Sequence, residues 1–161
     1  SSRGRGQDVR GRMAEMSEPT LPPVLTEIRD EFLELDEPIR LQLLLEFANE
    51  LPAVPARYEG HPELTERVVE CQSPVYIVID IDNEGLVHMH ATAPREAPTT
   101  RGFASILVQG ISGLTVDEVL AIPDDFPRSI GLTRAVSPLR ISGMTGMLLR
   151  AKRQVREKSG R

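Results

Sequence analysis

Cys71 is the only cysteine among the 161 residues, so any covalent sulfur chemistry in this chain must run through it. A single thiol excludes an internal disulfide and any zinc site built from several cysteines. It is then either a small buried hydrophobe, the usual fate of a free cysteine, or a nucleophile acting as its thiolate. Its neighbours leave both readings open. Ser73-Pro74 closes the loop that carries it, because proline biases the preceding residue toward an extended backbone. Glu70 would raise the thiol pKa rather than lower it. The histidines offer less. His88 and His90 form an H-x-H pair on one side of a strand, and His61 is a conceivable third ligand, but no local cluster of carboxylates or cysteines completes a metal site. No nucleophile-elbow motif supports a Cys–His hydrolase, and no glycine run matches a phosphate-binding loop. Met144 and Met147 read as core.

The elements that position Cys71 follow from periodicity. Leu25, Ile28, Phe32 and Leu35 lie on one face of a helix. Asp36 and Pro38 open a second helix over 39–51, with Leu43, Leu44, Phe47 and Leu51 inward and Pro52 and Pro55 beyond it. Together they predict an antiparallel helical hairpin, followed by an irregular link over 52–64. Val68 and Val69 are expected to begin a short strand running into the Cys71 loop. Residues 75–81 (VYIVIDI) form the strongest strand, apolar enough to be covered on both faces. After the Asp-Asn-Glu-Gly turn at 82–85, residues 86–92 alternate, with Val87, Met89 and Ala91 inward.

Thr100 is a candidate cap for a helix over 101–111 that ends at Gly113. Thr115 and Glu118 have capping-box spacing for a short helix to Ile122. Residues 124–131 make another short turn or helix. Ser137-Pro138 opens a long final helix to about Arg156, with basic residues at its C-terminal end. The predicted class is α+β: a small antiparallel sheet of about three strands packed against helices.

Length suits one domain. The 40% hydrophobic content with only 4% aromatics points to a core of aliphatic residues and methionine. The net charge of −5 is uneven. Residues 13–149 hold nine basic and 22 acidic side chains, whereas both ends are basic. An acidic body argues against a nucleic-acid groove. The basic ends lack the interleaved aromatics that stack on bases, and are expected to be solvated tails. No apolar run approaches the roughly 20 residues of a membrane span, and no apolar stretch follows the first arginines as in a secretory signal. The expectation is a cytoplasmic protein with no nucleic-acid or membrane partner, residues 1–20 forming a disordered leader, 21–156 the domain and 157–161 a basic tail.

At Cys71-Gln72-Ser73, running into VYIVI, the chain resembles the SufE family over about residues 24–156. Further shared features follow in order. They are the hairpin ending in Leu51-Pro52, Arg101-Gly102 at a helix start, the segment LTVDEVLAI at 114–122, and Gly131-Leu132 leading to Ser137-Pro138-Leu139-Arg140 and Gly143. The resemblance implies a SufE/NifU-like fold. It also implies a sulfur carrier that stimulates a SufS-type, pyridoxal-phosphate-dependent cysteine desulfurase and passes sulfur to iron–sulfur scaffold proteins. Cys71 would then accept the persulfide sulfur, with Gln72 orienting the loop and Arg140 near the sulfur site or docking surface. No metal or cofactor of its own is implied, and the chain would be a sulfur-transfer protein rather than a stand-alone enzyme. The alternative is a non-catalytic regulator that docks on a desulfurase or scaffold. Two positions and one segment depart from the family pattern. Glu70 stands where many members have glycine, Tyr76 where tryptophan is usual, and PREAP at 94–98 replaces an acidic loop.

Overall fold

The computed structural model describes residues 21–160, and the disordered leader expected over 1–20 lies outside the described residues. The described chain holds six α-helices and a three-stranded antiparallel sheet in the order β1-β2-β3. Helix α1 (Pro23–Leu33) and helix α2 (Glu37–Asn49) form the expected hairpin, with Phe32 and Phe47 stacked at 5.9 Å between ring centroids. Arg40 joins them. Its Nε donates to the Phe32 and Leu35 carbonyls, both at 2.8 Å, so a cation meets the negative end of the α1 dipole.

Strand β1 (Glu66–Arg67) precedes the two valines expected to form it. The register with β2 (Tyr76–Ile81) decides the matter: Glu66 faces Ile77 and Arg67 faces Tyr76. The Val68 N–H then donates to Val75 O at 2.9 Å, after which the chain turns away. β-Propensity was overridden by pairing, as is usual for short edge strands. Strand β3 (Val87–Thr92) pairs along all of β2 and buries Val87, Met89 and Ala91, as its alternation predicts. The Asp82 carboxylate accepts from the Glu84 and Leu86 amides at 2.9 Å, and Gly85 supplies the positive φ of the turn.

Helix α3 (Pro98–Ile111) begins before Thr100, which lies inside it. Pro98 provides a preset helical φ, and the N-cap Ala97 contributes no side-chain bond. Helix α4 (Val116–Leu120) has the full Thr115–Glu118 capping box. Helix α5 (Phe126–Ser129) is a single turn. Helix α6 (Pro138–Ser159) starts at the Ser137 cap and continues past the expected Arg156.

Helix α6 packs against β2, and α3 against β3 and α2, so the core lies between one sheet face and these helices. The other sheet face carries Tyr76, Val78 and Asp80 and is overlaid by the 52–64 link, which includes two single-turn 3-10 helices at 56–58 and 62–64. There Tyr58 donates its hydroxyl to Asp80 at 2.7 Å. Strand β1 is too short to cover all of β2, and side chains close the positions it leaves. Gln154 Oε1 accepts from the Ile79 amide at 2.9 Å, and Lys158 Nζ donates to the Ile79 carbonyl at 2.5 Å. Across the sheet, on the outer side of β3, Val87 exchanges backbone bonds with Gly113 and Leu114 at 2.7 Å, and the Met89 amide donates to Ser112 Oγ at 3.1 Å.

Candidate functional site

Cys71 lies on the β1–β2 loop, with 7% of its surface exposed. Two short backbone bonds shape the loop: the Cys71 amide donates to Val68 O at 3.1 Å, and the Val75 amide to Ser73 O at 2.9 Å. The valines beside it are split. Val68 is fully buried and anchors the loop, while Val69 is 70% exposed. The loop rests on α6, and two glycines make the seat. A β-carbon at Gly143 would lie 3.0 Å from Cys71 Sγ, and one at Gly146 would lie 2.8 Å from the Glu70 carboxylate. Each residue of the pair thus sits over its own glycine, one helical turn apart. Interior glycine costs a helix about 1 kcal/mol relative to alanine, so two of them on one face mark a close approach.

Burial, and then the neighbouring Glu70 carboxylate, pushes the Cys71 thiol up to about 11, against smaller opposing pulls from Arg150 and Arg67. The thiol at rest is therefore protonated at neutral pH. Glu70 is itself held by α6, where Arg150 Nη2 donates to its Oε1 at 2.7 Å.

A cleft of about 300 Å³ opens beside the sulfur. Its lining brings together all three residues singled out by sequence: Cys71, Gln72 and Arg140. Arg140 comes from the first turn of α6, directly after the Ser137 cap, and is exposed at the rim. Glu96 and Thr100 complete the wall from the α3 side, so the divergent 94–98 segment borders the sulfur site. Leu139, 52% exposed, adds an apolar patch to the mouth. Sequence reasoning missed Gly146 and Arg150, and named Glu96 only as part of the divergent 94–98 segment. The glycine spacing within a helix was the one signal available for Gly146; Arg150 arrives through tertiary contact.

The histidines do not converge. His61 Nδ1 meets Glu63 at 2.9 Å, His88 Nε2 meets Asp82 at 2.8 Å, and His90 Nε2 lies 3.2 Å from Asp80. Among the described residues no group of three His, Cys, Asp or Glu side chains is arranged to hold a metal ion. None of the three histidines lines the cleft with Cys71.

The family model of SufE, described as an Fe-S metabolism associated domain, matches residues 26–155. The chain belongs to the SufE family. It is 46% identical over 138 residues to an uncharacterized SufE-like protein of Mycobacterium tuberculosis, spanning 86% of this chain and 95% of that one. SufE-like protein 1, chloroplastic/mitochondrial, of Arabidopsis thaliana is 32% identical over 129 residues, which cover 80% of this chain and 33% of the plant protein. The solution structure of a hypothetical protein from Thermus thermophilus superposes with a TM-score of 0.77 at 36% identity, covering 88% of this chain and 100% of that one. This SufE-family chain therefore has the α+β fold expected from its sequence and a role in iron–sulfur metabolism. No helix among the described residues is long and apolar enough to cross a membrane.

Proposed function

We propose that this SufE-family protein accepts sulfur on Cys71 from the persulfide of a pyridoxal-phosphate-dependent cysteine desulfurase and carries it to an iron–sulfur scaffold in the cytoplasm. The Cys71 thiolate attacks the outer sulfur of the desulfurase persulfide. The sulfur–sulfur bond to the desulfurase breaks, its cysteine leaves as a thiolate, and Cys71 becomes the persulfide with no net oxidation. The observation that carries this reading is the single thiol at a polar cleft that also contains Gln72 and Arg140. Arg140 offers a fixed positive charge for the sulfur anion.

With the thiol pushed up to about 11, Cys71 is overwhelmingly protonated at neutral pH. Transfer therefore requires that docking remove part of the burial. The exposed Leu139 at the mouth, and the exposed Val69 two residues before Cys71, are the apolar contacts a partner would cover. Shielding at rest also protects a carried persulfide from oxidants.

The protonated, buried thiol equally favours a second reading, a regulator that docks without taking sulfur. Intact-protein mass spectrometry separates them. After incubation with a cysteine desulfurase, pyridoxal phosphate and cysteine, the wild type is expected to gain one reductant-labile sulfur atom and Cys71→Ser none. No gain with an active cognate desulfurase selects the regulator.

A further inference from the structure

The Cys71 seat holds a second guanidinium that does not line the cleft. Arg150 follows Gly143 and Gly146 along α6, one turn beyond the point where Glu70 rests. Its Nη2 donates to Glu70 at 2.7 Å, and its Nη1 lies 3.5 Å from Glu66 Oε2. Glu66 is in turn fixed by Arg153 and by Gln154 Nε2 at 2.9 Å. The guanidinium is thus clamped between two carboxylates, yet its Nε is buried and has no acceptor among the described residues. A buried donor left without an acceptor is unfavourable, so the clamp leaves this group with bonding capacity unused.

The two anions that could claim Arg150 differ in solvation. The Glu70 side chain is 42% exposed and can be hydrated if released. Cys71 is only 7% exposed, so its sulfur, once ionised or persulfidated, would have less water to stabilise it than the Glu70 carboxylate has. A cation is therefore worth more at the sulfur than at Glu70, and the new charge beside Glu70 also repels that carboxylate.

We propose that Arg150 is a positioning cation for the Cys71 sulfur anion, masked at rest by Glu70 and unmasked when that carboxylate is displaced. The inference rests on reading Cys71 as the sulfur acceptor. The charged groups around the sulfur are Arg67 and Glu70 from its own strand and loop, Arg140 and Arg150 from α6, and Glu96 from the segment before α3. Of these, Glu70 and Arg150 are directly bonded to each other. Glu70 therefore suppresses thiolate formation in two ways, by its own charge and by occupying Arg150.

The test is the rate of Cys71 alkylation by iodoacetamide from pH 7 to 10.5 in the wild type, Glu70→Gln, Arg150→Gln and Arg150→Lys, with melting curves to confirm folding. Lowering a thiol pKa by about one unit raises the thiolate population tenfold below the pKa. The accompanying loss of nucleophilicity leaves about a threefold faster reaction. Glu70→Gln is expected to react about threefold faster at pH 8, with its profile moved to lower pH. Arg150→Gln is expected to react about threefold slower, with its profile moved to higher pH, and Arg150→Lys to restore part of the loss.

A merely mechanical clamp would be loosened by either substitution, so acceleration in both Glu70→Gln and Arg150→Gln overturns the proposal. So does an unchanged Glu70→Gln profile, which decides the matter even if Arg150→Gln does not fold. Alkylation needs no desulfurase. Failure here would leave the acceptor reading standing, and failure of persulfide formation would leave this result interpretable.

Discussion

Replacing Gly143 with alanine adds one methyl group where α6 meets the Cys71 loop, and its two effects on stability oppose each other. The helix gains about 1 kcal/mol, because interior glycine is disfavoured relative to alanine by that amount. Against this, the new carbon would lie 3.0 Å from Cys71 Sγ and 3.9 Å from Cys71 Cα. The sulfur contact is several tenths of an ångström too close, and overpacking of this kind costs about 1–3 kcal/mol. The net effect lies between neutrality and a loss of about 2 kcal/mol, a change in Tm from zero to about −8 °C for a domain of this size. The loop must move off α6 to relieve the contact, so the thiol becomes more accessible. Thermal melting and iodoacetamide alkylation at fixed pH, with Ser142→Ala on the exposed side of the same helix as control, measure both effects. A rise in Tm of about 2–4 °C with unchanged alkylation would show that only the helix preference was felt, and would refute the idea that Gly143 exists to seat the sulfur.

Cys71→Ser is expected to keep the fold and lose all stimulation of a cognate desulfurase, because one atom in the core edge changes while the nucleophile disappears. Stimulation equal to wild type would exclude sulfur acceptance as its cause. Arg140→Ala, at an exposed rim position, should slow persulfide transfer without moving Tm by more than a few degrees. Unchanged transfer kinetics would remove Arg140 from the sulfur site.

The domain is also expected to lose stability as pH falls. Burial holds His90 below its usual 6.5 against the pull of Asp80, so the unfolded chain binds the proton more readily and stability drops as pH falls below about 6.5. Burial alone would raise Asp80, but hydrogen bonds from Tyr58 and Arg57 outweigh it and hold the carboxyl low, so a further loss follows as pH falls below about 3.8 and through its folded value. Urea midpoints at pH 7, 5.5 and about 3 measure the slope, and His90→Asn should flatten its upper part. A flat wild-type profile from pH 7 to 5.5 would contradict the assignment for His90.

The parts of the fold legible in sequence are those whose signal is local. The alternation of Val87, Met89 and Ala91, the Thr115–Glu118 box and the Ser137-Pro138 helix start all depend on neighbours within a turn or a pleat, and each appears where expected. The misplacements have equally physical causes. Strand β1 takes Glu66 and Arg67 rather than the β-branched Val68 and Val69 because the register on β2, set by distant contacts, ends there. Helix α3 begins at Pro98 because a preset backbone angle needs no side-chain cap, and Thr100 was the more visible signal.

For the site, the resemblance around Cys71 brought Gln72 and Arg140 to attention, and they share the cleft despite lying on different elements. The upward push of Glu70 on the thiol was legible from its place beside Cys71, but the arginine that tethers Glu70 was not. Arg150 meets Glu70 across 80 positions of sequence, and no pattern in either segment announces the other.

The closure of the sheet margins by side chains governs how this molecule meets other chains. Exposed strand edges invite strand addition and, between copies, fibrous aggregation. At Ile79 the amide and carbonyl are already occupied by Gln154 and Lys158, and at Val87 and Met89 the turn at 112–114 fills the same role. Those edge groups are not available to an incoming strand, so recognition there must proceed through side-chain surfaces rather than main-chain ladders. The last turns of α6 thus occupy the edge groups of β2 that β1 leaves open. Truncating the chain before Gln154 would bare the middle of β2 to any extended peptide, including another copy of itself.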